Sequence, residues 1–450
     1  MDLKTLPLAT ILMFPLTAYA RAGLTLEQAV DRGLKVDNII KTEAARVSGA
    51  KAGLGQARMS RFGGLKLKGM YTDGDDPVYA FATAMKQGTF GMASLATIND
   101  PDPARNYMAG VEAGVPLFTG FALSNAEKMG KLGVEAAEAG YARANSGITF
   151  KITYQWMMVL LRARLAALAA DSVAAAETEL KTAQMLKDKG MVLGSDYYGA
   201  EAILSTLRGY KLEWDKALEL EKEKLGIAVG LPGGAEVSGE LRDPGYPALE
   251  RGRLEDAAAG RKDVLALRKM EQVSKTAVKM QENSVLPVVE AFGSWETNSE
   301  SLSDFRSSRM LGLRLTMPIG DPAWFARRDG ARAEASMAAS RADEAKKQAA
   351  VELSEALNNY NSALETLPVT KETVEKARQS LELFRPLYRQ GRQSVLEVLR
   401  AQASVLQAEA AYYQDLFKLN LYRAQALLAS ETLDAAAVKD ISGKLAAGNY

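Results

Sequence analysis

The chain is written twice, and the repeat unit is too elongated to fold alone. The peptide Gly114-Val-Pro-Leu-Phe-Thr-Gly120 closes an alternating segment and opens a long helical stretch. Thr316-Met-Pro-Ile-Gly-Asp-Pro322 does the same, with Pro116 to Pro318 a spacing of 318 − 116 = 202 residues. The helical stretches end at Lys187-Asp-Lys-Gly-Met-Val-Leu-Gly-Ser-Asp196 and at Tyr388-Arg-Gln-Gly-Arg-Gln-Ser-Val-Leu-Glu397, with Gly190 to Gly391 a spacing of 391 − 190 = 201. From Leu117 to Leu231 there is no proline, and 70 residues of continuous helix from Gly120 to Lys189 would reach about 105 Å. A globular domain cannot hold such a rod. Each unit has too few strands to close a barrel and helices too long to bury alone, so the duplication points to an assembly closed around an axis.

Four short segments alternate with period two. Leu65 and Leu67 face one side and Lys66 and Lys68 the other; Tyr107, Ala109, Val111, Ala113 and Val115 oppose Met108, Gly110, Glu112 and Gly114. In the second copy Val289, Ala291, Gly293 and Trp295 oppose Glu290 and Ser294, and Leu311, Leu313, Leu315 and Met317 oppose Gly312, Arg314 and Thr316. Phe292 breaks the pattern. Alternation with charge on one side fits strands between lipid and water, and equally a half-buried soluble sheet. Tyr71, Tyr107 and Trp295 fall toward the hairpin turns, where an interfacial aromatic belt would lie.

Composition removes most other classes. With 56 basic and 55 acidic side chains the net charge is +1, which leaves no footprint for nucleic acid. Cysteine and histidine are both absent, which excludes thiol nucleophiles, disulfides, histidine-based triads and His/Cys metal sites. No carboxylate cluster has a metal-ligand or glycosidase-like arrangement, so neither an enzyme nor a cofactor is expected. Residues 1–20 read as a secretory signal peptide, with Lys4, an apolar stretch from Leu6 to Leu16 and Ala18-Tyr-Ala20 at the cleavage position. The longest later apolar run, Trp156 to Ala170, is cut by Arg162 and Arg164, so a membrane location would require a closed β-barrel. Without cysteine a lipid anchor is excluded too.

The remaining pattern divides the chain. Leu24 to Ser60 and Leu254 to Glu282 are predicted as single helices ahead of each strand pair. After each glycine break the spacing of Ile203, Leu207, Tyr210, Trp214, Ala217 and Leu225, and of Val395, Leu399, Leu406, Tyr413 and Leu416, follows a heptad seam and predicts coiled-coil hairpins. The organisation is thus a first repeat at 24–231, an equatorial linker at 232–253, a second repeat at 254–430 and a second equatorial segment at 431–450. The two equatorial segments are expected to pack together as a collar.

This arrangement, with Gly-Val-Pro-Leu-Phe-Thr-Gly and Leu-Tyr-Arg-Gln-Gly-Arg-Gln-Ser-Val-Leu-Glu-Val-Leu-Arg-Ala-Gln as its specific peptides, resembles the outer membrane efflux protein family typified by TolC. The resemblance implies a mostly α chain with a small β part. Three chains would give a trimeric 12-stranded outer membrane β-barrel, four strands each, continued by a long α-helical coiled-coil tunnel in the periplasm. It implies a homotrimer that docks onto a periplasmic adaptor and an inner-membrane pump, sits in outer membrane lipid and exports substrates passively. Pro116 and Pro318 would mark the barrel-to-tunnel transition. The tunnel tip and gate, in contact with the adaptor, would hold Gly190, Ser195, Asp196, Gly391, Arg392, Gln393, Ser394, Glu397 and Arg400.

Three departures qualify that picture. Better-known members carry a second acid one turn after the first in the second tip, where this chain has Arg400. That change favours an ion pair over cation binding at the tip, and solvated helix-start charges are the plain alternative. Pro368 and Pro386 fall within the second long helix and predict a difference in curvature or continuity. The first strand hairpin has a loop from Thr72 to Asn106 against about Glu296 to Ser308 in the second, long enough to fold over the mouth as a partial plug. Two other readings compete: a secreted coiled-coil scaffold without a pore, which leaves the four alternating segments unexplained, and a periplasmic adaptor, which would have one helical hairpin rather than two. The cargo is not legible in the sequence.

Overall fold

The computed structural model describes residues 23–446, so the expected signal peptide at 1–20 and the last residues of the second equatorial segment lie outside the described residues. In chain order the elements are α1 (Leu26–Val36), α2 (Asn38–Met59), β1 (Gly64–Gly74), α3 (Pro77–Gln87), β2 (Ala104–Thr119), α4 (Ala122–Asp188) and α5 (Gly194–Ala228). They continue with α6 (Arg251–Ala258), α7 (Lys262–Glu282), β3 (Val288–Ser299), β4 (Arg306–Thr316), α8 (Ala323–Arg389), α9 (Val395–Ala429) and α10 (Ala435–Leu445). The duplication is carried by lengths as well as sequence: α4 and α8 have 67 residues each, and α5 and α9 have 35 each. At 1.5 Å per residue α4 and α8 are rods of about 100 Å.

The chain divides into two compact units, and α4 and α8 contribute a part to each. One unit comprises residues 39–144 and 259–350, with α2, α7 and a single antiparallel sheet of order β1-β2-β3-β4. All four alternating segments are strands, longer than the alternation alone marks. The second hairpin loop shrinks to residues 300–305, while the first holds α3 and a short 3-10 turn at Met92–Leu95. At the sheet's helical end, Arg58 and Arg61 of the α2 end reach Glu127 of α4 at 3.4 and 2.5 Å. The hydrogen bond from Lys131, with those two arginines beside it, holds the Glu127 carboxyl below the usual carboxylate range despite its desolvation. The start of α8 is tied in the matching way to α7, by Trp324 Nε1 donating to Gln281 O at 2.9 Å and by Arg332 with Glu282 at 2.7 Å.

The other unit comprises the described part of the chain up to residue 38 together with 145–258 and 351–446. It holds the two helical hairpins, with α5 packed on α9. Leu204, Leu207, Leu225, Leu399, Leu406 and Leu416 are buried along that seam, close to the predicted heptad. The equatorial segments do pack together: Glu240 N donates to Leu445 O at 2.8 Å and Arg242 Nε to Lys444 O at 2.7 Å. Around them Trp156 Nε1 donates to Leu24 O at 2.8 Å, and Tyr246 lies under Arg423 and Lys444, 3.9 and 4.3 Å from its ring centre.

Two predicted helices are each broken in two. Leu24 to Ser60 divides at Asp37, whose extended backbone ends α1 and whose N–H donates to Gly33 O; Leu254 to Glu282 divides at residues 259–261. The first break follows a close contact: a Cβ on Gly33 would lie 2.8 Å from Ile152, so α1 packs tightly on α4 just before it ends. The prolines of α8 do not end it. Pro368 and Pro386 lie inside an unbroken helix, anchored by buried Leu367, Leu381 and Tyr388, and burial outweighs the two lost backbone hydrogen bonds.

Candidate functional site

Residues in register on neighbouring strands share a face, which sorts the sheet into two sides. One carries Leu65, Ala113, Gly293 and Leu311 on one rung, then Ala291 with Leu313 and Val289 with Leu315. Leu65, Leu67, Leu311, Leu313 and Leu315 are each about 70–80% exposed, so this side is an open apolar surface. The opposite side carries Lys66 with Glu112 and Ser294, then Glu290 with Arg314, whose charges lie 3.5 Å apart, and an ion pair between Lys68 and Glu112. Phe292 on this polar side is accounted for by its neighbours. The Arg314 guanidinium sits 4.9 Å from its ring centre, and Gly312 opposite leaves the room, since a Cβ there would lie 2.7 Å from the ring.

The aromatic residues separate. Tyr71 and Tyr107 are cross-strand partners with ring centres 4.8 Å apart at the hairpin end. Trp295 is on the same side but pairs with Val111, four positions further from that end, so the three do not form one cluster.

At the other end of the strands Pro116 lies within β2, where the register slips between Pro116 and Phe118 as a bulge that re-aims the chain. Gly120 and Phe121, both at positive φ, then turn it into α4. Pro318 lies just past β4, followed by Gly320 at φ +79° and by Asp321, which accepts from Ala323 N at 3.0 Å to start α8. The two prolines therefore mark the same junction by different geometry.

The two glycine turns are built alike. Gly190 and Gly391 have φ of +73° and +71°. Met191 N donates to Leu186 O and Arg392 N to Leu387 O, both at 2.9 Å, which is the Schellman closure of a helix end. Ser195 and Asp196 fall in the first turn of α5, Ser394 is the N-cap residue of α9, and Glu397 falls in the first turn of α9, so both acids sit where a helix N-terminus favours negative charge. Glu397 pairs with Arg400 of its own helix at 2.8 Å on an exposed surface. Among the described residues Asp196 and Arg392 form no ion pair, and Gln393 is half-buried. The two helix starts are in contact: a Cβ on Gly199 would lie 3.1 Å from Leu396. The sequence reading missed Lys187, whose ammonium lies 4.2 and 4.5 Å from the ring centres of Tyr197 and Tyr198. The adjacent tyrosines opposite a lysine of the same turn were the available signal.

The sequence model of the outer membrane efflux protein family matches residues 254–437, the second repeat with its glycine turn. Over those residues the chain is similar to the outer membrane efflux protein family. No curated protein sequence matches it. Solved structures extend the agreement in fold to nearly the whole chain. The Campylobacter jejuni CmeC outer membrane channel superposes with a TM-score of 0.78 at 14% identity, covering 99% of this chain and 98% of that one. A membrane protein from Pseudomonas aeruginosa gives 0.78 at 16%, covering 90% and 92%, and the Neisseria gonorrhoeae MtrE outer membrane channel gives 0.76 at 14%, covering 91% and 90%. Among the described residues no helix is long and apolar enough to cross a membrane.

Proposed function

We propose that the protein is the outer membrane channel of a tripartite efflux or type I secretion system, a homotrimer that passes cargo passively from a periplasmic adaptor and inner-membrane pump to the outside. The observation that carries this reading is the sheet: four strands with an exposed apolar face, a charged opposite face, and β1 and β4 as its edges. In water such a face and such edges invite aggregation. In a bilayer the edges must be closed, and four strands are too few to close on themselves. Three copies give 12 strands, with leucines toward lipid and lysine, arginine and glutamate toward the bore. A pore-less scaffold has no use for this surface. The protein carries no chemistry of its own in this role.

The inner end of the duct is assigned to the two glycine turns, with Asp196, Arg392, Glu397 and Arg400 as its charged ring and with the adaptor as its partner. MtrE, which shares the fold, has been solved in an open state, in keeping with a gated duct. Light scattering of the detergent-purified protein should give three times the mature chain mass, the precursor being 48.5 kDa. A stable monomer with its strand content intact would end this reading.

A further inference from the structure

Helix α3 lies in the long hairpin loop, and it packs on the sheet's charged face rather than standing free. It touches β2, β3 and β4. Its start is set by Asp76, which accepts from Tyr79 N at 2.8 Å ahead of Pro77, and its end by Gly88 at φ +69°. The residues it buries are Ala80, Thr83 and Gln87, a stripe of small and polar side chains at helical spacing. Gln87 Nε2 donates to Arg105 O at 2.6 Å and to Asn106 Oδ1 at 3.1 Å, and Asn106 Nδ2 donates on to Asn298 Oδ1 at 2.8 Å. Beside that chain Lys86 pairs with Glu296 at 2.7 Å, and Tyr79 shares a hydrogen bond with Thr72.

Glu296, Asn298, Asn106 and Thr72 are all on the face that carries Lys66, Glu112 and Arg314. If that face lines the bore, as the proposed channel requires, α3 is inside the barrel mouth. We propose that α3 is an outer gate, latched to the barrel wall by Lys86–Glu296 and the Gln87–Asn106–Asn298 chain, so that the channel is closed from outside independently of its inner tip.

The chemistry of the contact fits a movable element. An isolated helix of 11 residues is unstable in water, so α3 keeps its form by docking. The docked surface is polar, and its hydrogen bonds can be exchanged for water at little net cost. The other side of α3 carries Val78 and Met85, 76% and 57% exposed. In a trimer three copies of that side point into one bore, and a helix with side chains is about 10–12 Å across, so three would occupy much of a shared mouth and could cover these apolar residues.

The chain has no cysteine, so a single reporter can be placed on the charged face. Ser294→Cys lines a cavity of about 230 Å³ with Lys68, Glu112, Glu296 and Arg314. Intact cells carrying this variant are treated from outside with a small cationic methanethiosulfonate and, separately, with a maleimide on a polyethylene glycol chain, and intact trimer is confirmed on gels. The small reagent should react readily and the large one slowly. Lys86→Glu or Glu296→Lys should speed the large reagent on the order of tenfold. The exchanged pair Lys86→Glu with Glu296→Lys should restore the slow rate, and Gln87→Ala, which leaves the charges alone, should speed it as well. Equal rates for the large reagent in all variants would overturn the outer gate while leaving the channel reading intact. Failure of both reagents in every variant until the outer membrane is permeabilised would overturn the channel topology, and the gate with it.

Discussion

One ion pair is built twice with its charges exchanged. In the first hairpin Glu177 of α4 meets Arg208 of α5 at 2.7 Å; at the equivalent positions of the second, Arg378 of α8 meets Glu409 of α9. The rung of the hairpin is conserved between the copies and the sign is not, so geometry rather than a particular charge selects it. The first pair is open to solvent and should contribute less than about 1 kcal/mol. In the second, Glu409 keeps only 12% of its side chain exposed. Arg378→Ala leaves that carboxylate without its partner and should cost about 2 kcal/mol. Thermal unfolding of the detergent-solubilised protein should therefore show Arg378→Ala well below Arg208→Ala; equal midpoints would mean that burial of Glu409 has no energetic weight. At the glycine turns, the proposed inner tip, the same reasoning ranks two acids. Glu397 is already paired with Arg400, whereas Asp196 has no ion-pair partner among the described residues. Asp196→Asn should raise single-channel conductance in planar bilayers more than Glu397→Gln does. No change in either, with the trimer intact, would leave the inner gate to packing alone.

At the scale of elements the repeat was legible because it is recorded in turn chemistry. Gly190 and Gly391 each end a 67-residue helix at a left-handed residue, and glycine is the residue that accepts that conformation without strain. The strands were legible from alternation. What escaped the sequence depends on contact between distant segments. The break at Asp37 comes one turn after Gly33 meets Ile152, and Trp295 separates from the two tyrosines because register, which period-two alternation does not fix, is set by the pairing of β2 with β3. Helix α3 is a different case. Asp76-Pro77 and Gly88 are ordinary start and stop signals, yet the segment was read as a long loop able to plug the mouth, with no helix in it. Pro368 and Pro386 show propensity overridden by burial within α8. Each still leaves a carbonyl one turn earlier without its helical donor, so Pro368→Ala should raise the unfolding midpoint and add protected amides in that turn by hydrogen exchange. A lower midpoint would show that the proline is required for the path of the helix.

For the whole molecule the decisive property is that one side of its sheet is an open apolar surface while the other carries charge. Lipid and water are thereby assigned to opposite sides of the same four strands, and a single substitution can test the assignment. Leu313 is 72% exposed on the apolar side, in register with Ala291, and Ser294 is on the charged side, in register with Glu112 and Met310. An arginine facing hydrocarbon costs about 2–4 kcal/mol at the bilayer midplane and nearly nothing in an aqueous bore. In a trimer that cost is incurred three times within one closed sheet, so Leu313→Arg should sharply reduce the amount of assembled trimer in outer membrane fractions. Ser294→Arg should assemble normally and lower conductance by narrowing the bore. The reverse outcome, with Leu313→Arg assembling and Ser294→Arg failing, would place lipid against the charged face, and with it would fall the barrel, the orientation of α3 toward the bore and the reading of the protein as a duct.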